Sequence, residues 1–562
     1  MQINIPVGIS DFEKIRQNGY YYIDKSGLIS EIMKTESTEV TLITRPRRFG
    51  KTLAMSMLNS FFDIRKDNQK IFEGLEVSKE KELCTRWMNQ RPTIFLTLKN
   101  VDGLDFITAY EQLVYEIASL YERFDDIRER EEISQSEKEI FERIKARRAG
   151  KIEILRSLQL LSQLLYRCYK KKVVLLLDEY DVPLAKASEH GYYDQMLEVI
   201  KAMMGTVLKD NQALQFAVIT GCLKISKESI FTGTNNFVSD TITDSRLNEY
   251  FGFTQKEIDK ILKDVGVMDK KEKVKKWYDG YHFGKFDVYC PWDVMNYMKD
   301  LQYNPQAKPL SYWKNTSDNA IIRSFIEYAG NTITKKLESL LSGQYIVQHI
   351  EENLTYDYLH SSEDNLWSVL YLTGYLTRIR EDDLEENISD GQTALKIPNA
   401  EVQEIFQTTI RQWFEDHAKI WDRKRLFDAV WQGKSEIITE EMTKLLRRSI
   451  SYHDYKEDFY HAFLAGIFAG AGYAVESNKE HGEGRSDIVI SDSIDGKVAI
   501  FEVKYSKTLQ AMENDCKKAL EQIDRRLYAK EYEDDCDEIL CYGVAFYKKR
   551  CIVKAAECNK VK

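Results

Sequence analysis

The 562-residue chain lacks several features that would assign it to a special class of protein. It has 8 prolines and no linker rich in glycine and serine. Its nine cysteines are scattered and lack Cys-x-x-Cys spacing, which argues against a zinc site and predicts free thiols in a reducing cytosol. No window approaches the ~18 uninterrupted apolar residues of a membrane helix, and the charged N-terminus lacks a signal-peptide core. We therefore expect a soluble, cytoplasmic protein without a membrane partner.

Bulk charge and composition narrow the class further. The net charge of −10 excludes a protein that coats nucleic acid through overall charge, although it allows a local basic groove. A hydrophobic content of 43% with 33 tyrosines excludes a mainly disordered chain. The length predicts two to four domains.

Short apolar runs alternate with amphipathic helical stretches in the first part of the chain. Such runs are typical of strands buried on both faces of a parallel sheet, and the alternation predicts a doubly wound α/β domain. The predicted strands are "EVTLITRP" (39–46), "PTIFLTLK" (92–99), "KVVLLLDEYD" (172–181) and "LQFAVITG" (214–221).

The pattern changes twice further along. Helical periodicity dominates the middle of the chain, and near residue 445 a long apolar helix (457–475) precedes two short strands. We therefore predict three parts: a P-loop NTPase-type α/β domain at 1–255, a mainly helical middle or lid region at 256–445, and an α/β restriction-endonuclease-like domain at 446–562.

The stretch "TRPRRFGKT" (44–52) has the ending of a phosphate-binding loop. It follows a predicted strand and precedes a predicted helix, so that loop amides and the helix N-terminus can hold phosphates. Lys51 would reach the β- and γ-phosphates and the Thr52 hydroxyl would bind Mg²⁺. The predicted nucleotide-binding residues of the loop are Arg45, Pro46, Arg47, Arg48, Phe49, Gly50, Lys51 and Thr52.

Two strand ends supply the remaining residues of this predicted site. Asp178 would hold Mg²⁺ through water, and Glu179 would polarise the attacking water. Thr220, at the end of another apolar strand, stands where a sensor of the γ-phosphate would lie. Since Gly-Lys-Thr alone is common, the prediction depends on these motifs occurring together and in order.

Arg45 stands where such loops normally begin with glycine. Arginine loses the conformational freedom of glycine at a tight turn, although its guanidinium could contact phosphate. Arg47 and Arg48 could do likewise or pair with surface carboxylates. The residues alone leave these alternatives open.

A second cluster lies in "GEGRSDIVISDSIDGKVAIFEVKYSK" (482–507). Two strands around turn residues predict a hairpin that brings Asp487 near Glu502, with Lys504 on the same strand face as Glu502. The two carboxylates would bind Mg²⁺ or Mn²⁺, and Lys504 would orient water or stabilise a pentavalent phosphate. Glu457 is a candidate third ligand. The alternative is a solvated amphipathic hairpin, which the apolar surroundings of Glu502 disfavour.

Both halves of the chain resemble known families. The first ~300 residues resemble the bacterial AAA-ATPase-like family, and residues from about 450 onward resemble the PD-(D/E)XK nuclease superfamily. The resemblance is carried by "NGYYYIDKSGLI" (18–29), "TRPRRFGKTLAMSML" (44–58), "LLLDEYDVPL" (175–184), "ITGCLKISKESIFTGTNNF" (219–237), "YFGFTQKEI" (250–258), "KKWYDGYHFG" (275–284), "FYHAFLAGIF" (459–468), "GEGRSDIVI" (482–490) and "IFEVKYSK" (500–507).

The resemblance implies that arginine at position 45 is usual and that Asp487, Glu502 and Lys504 form the nuclease site. It leaves the segment "WYDGYHFG" (277–284) as either a nucleotide contact or a packed aromatic turn. The predicted function is an ATP-binding, ATP-hydrolysing protein that acts on DNA through a metal-dependent phosphodiesterase domain. The alternative is a nucleotide-dependent switch that binds nucleic acid or protein without cutting, and homo-oligomerisation stays open.

Overall fold

A computed structural model gives the fold. By internal contacts the chain divides into two compact units, formed by residues 1–317 with 347–402 and by residues 318–346 with 403–562. The predicted three-part division by sequence pattern stays a prediction. The structure describes residues 3–34, 38–225, 237–313, 322, 336–337, 339–354, 362–384, 388–389, 391–419, 424–449, 460, 464, 468, 474–477, 480–481, 484–485, 487–492, 496–532, 536 and 538–557.

The first unit is built on a five-stranded parallel sheet with the strand order β2-β3-β4-β1-β5. Every residue of β1 and β3 is buried, as expected for strands covered by helices on both faces. Ligands of open parallel sheets bind beyond the carboxyl ends of the strands. The strands are β1 (Val40–Thr44), β2 (Thr93–Thr97), β3 (Val173–Asp178), β4 (Leu214–Gly221) and β5 (Phe237–Asp240).

Helices connect and cover these strands. α3 follows β1 directly, and α10 follows β3. The helices up to β4 are α1 (Phe12–Gln17), α2 (Gly27–Met33), α3 (Lys51–Phe62), α4 (Gln69–Phe72), α5 (Lys81–Trp87), α6 (Phe106–Glu122), α7 (Gln135–Lys145), α8 (Lys151–Leu155), α9 (Ser157–Tyr169), α10 (Val182–His190) and α11 (Tyr193–Leu208).

The chain beyond β5 adds helices and two small sheets. A separate apolar cluster joins Ile5 and Ile23 near the N-terminus to α12, α13 and α14, so the first residues pack against this later part of the chain. The elements are α12 (Gln255–Val265), α13 (Lys271–Tyr278), the antiparallel pair β6 (Tyr281–Phe283) and β7 (Phe286–Val288), α14 (Pro291–Tyr303), α15 (Glu363–Leu372), and β8 (Ile346–His349), β9 (Thr377–Arg378) and β10 (Gln392–Lys396), which form a sheet in the order β8-β10-β9.

The second unit contains a mixed sheet with the strand order β11-β14-β15-β16-β17. β14 and β15 are antiparallel, and β15 and β16 are parallel and joined through a helix. The elements are α16 (Ala400–Lys419), α17 (Lys424–Trp431), α18 (Ser435–Ser449), β11 (Ala474–Ser477), the pair β12 (Glu480–His481) and β13 (Gly484–Arg485), β14 (Ile488–Asp492), β15 (Lys497–Tyr505), α19 (Met512–Arg525), β16 (Glu538–Tyr547) and β17 (Arg550–Glu557).

The structure confirms the predicted fold class and the four predicted strands of the parallel sheet. β5 was not predicted, because it is four residues long and only Asp240 in it is buried. The apolar helix predicted at 457–475 falls almost wholly outside the described residues. Within the described residues, no helix is long and apolar enough to cross a membrane.

The thiols are free at most of the described cysteines. The prediction was wrong at Cys541, which is disulfide-bonded. Spacing along the sequence could not indicate this bond, because it depends on which thiols the fold brings together.

Candidate functional site

The loop between β1 and α3 turns at two left-handed residues. Gly50 has a φ of 86°, which suits glycine, and Arg48 has a φ of 72°, which is strained for a long side chain. Arg45 is not among the residues with positive φ. The glycine expected at position 45 is therefore not needed for backbone freedom in this loop.

The side chain of Arg45 is buried and held by the end of β5. Its guanidinium donates to the carbonyl oxygens of Thr44 at 2.7 Å and Asp240 at 2.8 Å, and it forms an ion pair with the Asp240 carboxylate. Burial raises the pKa of Asp240 and Arg45 opposes that rise. The guanidinium joins the loop to β5, so a phosphate contact from it would require this pair to separate.

Lys51 begins α3 and lies beneath the loop. Its Nζ donates to the carbonyl oxygens of Arg45 at 2.9 Å and Pro46 at 3.0 Å. A cavity of about 660 Å³ lies here, lined by residues 47–54 and also by Glu179 and Lys186. The predicted residues from Arg47 to Thr52 therefore share one cavity, whose volume is typical of small-molecule sites. Arg45 and Pro46 do not line it.

Asp178 stands at the carboxyl end of β3 and is fully buried. One carboxylate oxygen accepts from the Thr220 hydroxyl at 2.6 Å, and the other accepts from the Thr97 hydroxyl at 3.4 Å. β4 lies between β1 and β3, so Asp178 is one strand removed from the loop strand. Thr220, on β4, links the two and fixes the orientation of the carboxylate.

Glu179 extends into the cavity from an unusual backbone conformation. Its φ is 54°, and such strain in a non-glycine residue is found preferentially at functional sites. Burial raises the pKa of its carboxyl, and Lys51 opposes that rise. A carboxylate and an ammonium thus lie at one cavity, as water activation beside a phosphate requires.

The segment 277–284 packs behind the loop as an aromatic turn. The Phe49 ring lies 4.9 Å from the Tyr281 ring and 5.0 Å from the Phe283 ring, measured between centroids. Neither Asp279 nor Tyr281 lines the cavity. His282 Nδ1 lies 2.9 Å from Asp287 Oδ1 on the paired strand β7, and the carboxylate oxygen is the acceptor of this hydrogen bond. These contacts give the segment a packing role.

Two buried acids that sequence reasoning missed lie close to Arg48. Burial raises the pKa of Asp293 to about 6 and that of Glu401 to about 10. Their carboxyl groups are within hydrogen-bonding reach of one another, and neither oxygen of Asp293 accepts from an N–H or O–H group of the described residues. One proton shared between the acids satisfies both, so the pair titrates as a unit. Their separation of 108 positions gives no local sequence signal.

This pair makes stability fall as pH rises. Both carboxyl groups have higher pKa values in the folded protein than in the unfolded chain. The contribution of the pair to the free energy of unfolding is therefore complete below about pH 4 and is lost towards about pH 10. In Glu401→Gln the amide donates to Asp293 and does not titrate. We expect the wild-type Tm to fall between pH 6 and pH 9 by at least about 4 °C more than that of the variant.

The measurement is thermal unfolding followed by circular dichroism at both pH values. Glu111→Gln, at an exposed position of α6, is the matched control and should follow the wild type. Equal pH slopes for the wild type and Glu401→Gln would contradict a shared proton.

The second unit brings Asp487, Glu502 and Lys504 together. Ile488 pairs with Phe501 across β14 and β15, so the preceding Asp487 stands opposite Glu502. Asp487 Oδ2 accepts from the Val503 amide at 2.8 Å, and Lys504 Nζ lies 3.0 Å from Glu502 Oε1. Burial and the Asp487 charge raise the pKa of Glu502 to about 7, and Lys504 opposes that rise.

This arrangement fits a divalent metal in part. Glu502 Oε2 is buried and has no hydrogen-bond partner among the described residues, and with Asp487 it offers the hard oxygen donors that Mg²⁺ and Mn²⁺ prefer. Glu457, the predicted third ligand, lies outside the described residues. Across the described part of the chain, no group of three acidic, histidine or cysteine side chains is placed to hold a metal.

α19 packs over β15 and β16 and carries exposed basic side chains. Cys516 Sγ donates to the Gly543 carbonyl at 2.9 Å, which shows how closely the helix approaches β16. The exposed cations on α19 and directly after it are Lys517, Lys518, Arg525 and Arg526. Lys518 pairs with Asp515 at 3.1 Å. Exposed cations of this kind can contact a phosphate backbone.

Comparisons with known proteins agree with this arrangement. Residues 6–231 match the family described as a predicted AAA-ATPase, and residues 455–556 match the PD-(D/E)XK nuclease superfamily. A relative from Azotobacter chroococcum mcd 1, described as an uncharacterized protein in the vnfD 5′ region, is 24% identical over 554 residues. The match covers 96% of each chain, so the similarity extends over both units and the region between the matched domains.

Proposed function

Because the chain carries an AAA-ATPase-like domain followed by a PD-(D/E)XK nuclease superfamily domain, we propose that it binds and hydrolyses ATP and cleaves DNA under control of the nucleotide. The observation that carries the first half is the cavity shared by Lys51, Thr52 and Glu179. The second half is supported by the grouping of Asp487, Glu502 and Lys504.

At the nucleotide site the chain would act through four side chains. Lys51 Nζ exchanges the Arg45 and Pro46 carbonyls for phosphate oxygens and neutralises their charge. Glu179 accepts a proton from the attacking water. Thr52 and Asp178 would hold Mg²⁺, Asp178 through water, because Thr220 and Thr97 hydroxyls already bind its carboxylate.

At the nuclease site Asp487 and Glu502 would hold Mg²⁺ or Mn²⁺, with Glu457 as a further candidate ligand. A divalent metal supplies charge neutralisation and lowers the pKa of water. Lys504 positions the water or stabilises charge on the phosphorus oxygens. The cations of α19 would hold the DNA backbone.

A second candidate is a nucleotide-dependent switch that holds nucleic acid without cutting. It is favoured by one observation: only two acids meet at the nuclease site in the described part of the chain. Labelled single- and double-stranded DNA incubated with the full chain in Mg²⁺ or Mn²⁺ separates the candidates. Shortened DNA supports cleavage, whereas intact DNA retained in a complex supports the switch.

A further inference from the structure

Two residues of the turn between β3 and α10 have no part in the mechanism described above. Tyr180 and Asp181 directly follow Glu179, and both side chains are buried. Glu179 lines the cavity at the phosphate loop, whereas Tyr180 and Asp181 do not. Since buried hydroxyl and carboxylate groups are retained with hydrogen-bond partners, the partners of these two side chains indicate what they do.

The Tyr180 hydroxyl binds the backbone of segment 221–225, which ends β4 and continues beyond it. It donates to the Leu223 carbonyl oxygen at 2.9 Å and accepts from the Ile225 amide at 3.0 Å. The Tyr180 amide donates to the Thr220 carbonyl oxygen at 3.0 Å. A hydroxyl that donates to one backbone group and accepts from another fixes both groups relative to its own ring. Tyr180 therefore ties the end of β3 to this segment.

Asp181 holds the same segment through two further backbone groups. Its Oδ2 accepts from the amides of Cys222 at 2.9 Å and Leu223 at 3.0 Å, and hydrogen bonds to a carboxylate are stronger than those between neutral groups. Gly221 packs tightly against both side chains, because a Cβ at this position would lie 2.7 Å from Asp181 Oδ1 and 2.7 Å from the Tyr180 ring. The close approach therefore requires glycine at position 221.

Segment 221–225 also contacts the phosphate loop. Cys222 lines the cavity, and its Sγ lies 3.6 Å from Lys51 Nζ. The Arg45 amide donates to the Gly221 carbonyl oxygen at 3.1 Å. Glu179 has a φ of 54°, and a non-glycine residue keeps such a conformation only where the surrounding structure imposes it. The segment thus lies between the turn that carries Glu179 and the loop that carries Lys51.

We propose that Tyr180 and Asp181 are positioning residues for ATP hydrolysis, which fix the Glu179 carboxylate relative to Lys51 through segment 221–225. This rests on the proposed ATPase function and adds two residues that control turnover from outside the cavity. A displacement of a catalytic group by about 1 Å costs about 10²-fold in rate. The Lys51 ammonium keeps its two loop carbonyls when either side chain is changed, so ATP affinity should change much less than turnover.

The first test is Tyr180→Phe in the full chain, which removes the hydroxyl and keeps the ring. We expect kcat for ATP hydrolysis, measured as phosphate release with Mg²⁺, to fall at least about tenfold. KM and the calorimetric Kd for ATP should change less than about twofold. Tyr121→Phe is the matched control, because Tyr121 is equally buried and its hydroxyl donates to the Ser157 carbonyl at 2.7 Å. It should lower Tm in the same way and keep the wild-type kcat.

The second test separates positioning from a direct effect of the Asp181 charge. Asp181→Asn keeps a carbonyl oxygen that can accept from both amides, and Asp181→Ala has no acceptor. We expect kcat within about fivefold of the wild type for Asp181→Asn and at least about tenfold lower than that for Asp181→Ala. Equal losses in the two variants would assign the effect to the charge and overturn the positioning role.

Two further outcomes would contradict the proposal. Wild-type kcat in both Tyr180→Phe and Asp181→Ala, or an equal loss of kcat in Tyr180→Phe and Tyr121→Phe, would overturn the positioning role while leaving ATP hydrolysis in place. A wild-type protein without ATP turnover would overturn the hydrolysis and the positioning role together. ATP binding measured by calorimetry shows that each variant is folded at the phosphate loop.

Discussion

Glu179→Gln is expected to bind ATP within about twofold of the wild type and to hydrolyse it about 10²- to 10⁴-fold more slowly. The amide keeps the size and the hydrogen-bonding reach of the carboxylate but cannot accept a proton from water. The loop carbonyls of Arg45 and Pro46 are held by Lys51, so the loop should keep its conformation in this variant. The hydrolysis rate is measured as phosphate release and the ATP affinity by calorimetry, both on the same protein.

Glu198→Gln is the matched control for this substitution. Glu198 lies on α11, exposed, at 3.2 Å from Lys151, and away from the cavity lining. It should retain wild-type turnover. Turnover in Glu179→Gln within about threefold of the wild type would exclude Glu179 as the general base and would leave its strained backbone without a catalytic explanation.

Lys504→Ala is expected to reduce DNA cleavage at least about 100-fold while leaving ATP turnover unchanged. Its ammonium faces Glu502 at 3.0 Å and is the cation that the geometry offers for charge on the phosphorus oxygens. Cleavage of labelled DNA in Mg²⁺ and Mn²⁺ and phosphate release from ATP are measured on one preparation.

A control for Lys504→Ala is available on the same strand. Lys497 begins β15, seven residues or about 23 Å from Lys504, and pairs with Glu538 at 2.8 Å. Lys497→Ala should cleave as the wild type does. If Lys504→Ala binds DNA and supports all function of the wild type, the nuclease-like domain is a binding module.

The sequence predicted four of the five strands of the parallel sheet, because buried parallel strands appear as continuous apolar runs. In the mixed sheet it predicted β14 and β15 but not β11, β16 or β17. It also placed Asp487 opposite Glu502, since a hairpin register follows from its turn. Both predictions depend on local sequence patterns that extend over about ten to twenty residues.

Long-range partners could not be predicted in the same way. Arg45 pairs with Asp240, 195 positions later, on a strand too short and too exposed to be recognised. Asp293 and Glu401 lie near the starts of α14 and α16, and neither segment carries a local signal of the other. Their roles depend on which loops the sheet brings together beyond its carboxyl edge.

The proposed control of the nuclease site by nucleotide is tested most directly by one measurement: the rate of DNA cleavage by the full chain with and without ATP, in the wild type and in Lys51→Ala. We predict that ATP changes the wild-type rate at least about fivefold and has no effect in Lys51→Ala, which still cleaves at the rate of the nucleotide-free wild type. A wild-type rate that ATP does not alter, or an equal response in Lys51→Ala, would contradict nucleotide control of the nuclease site.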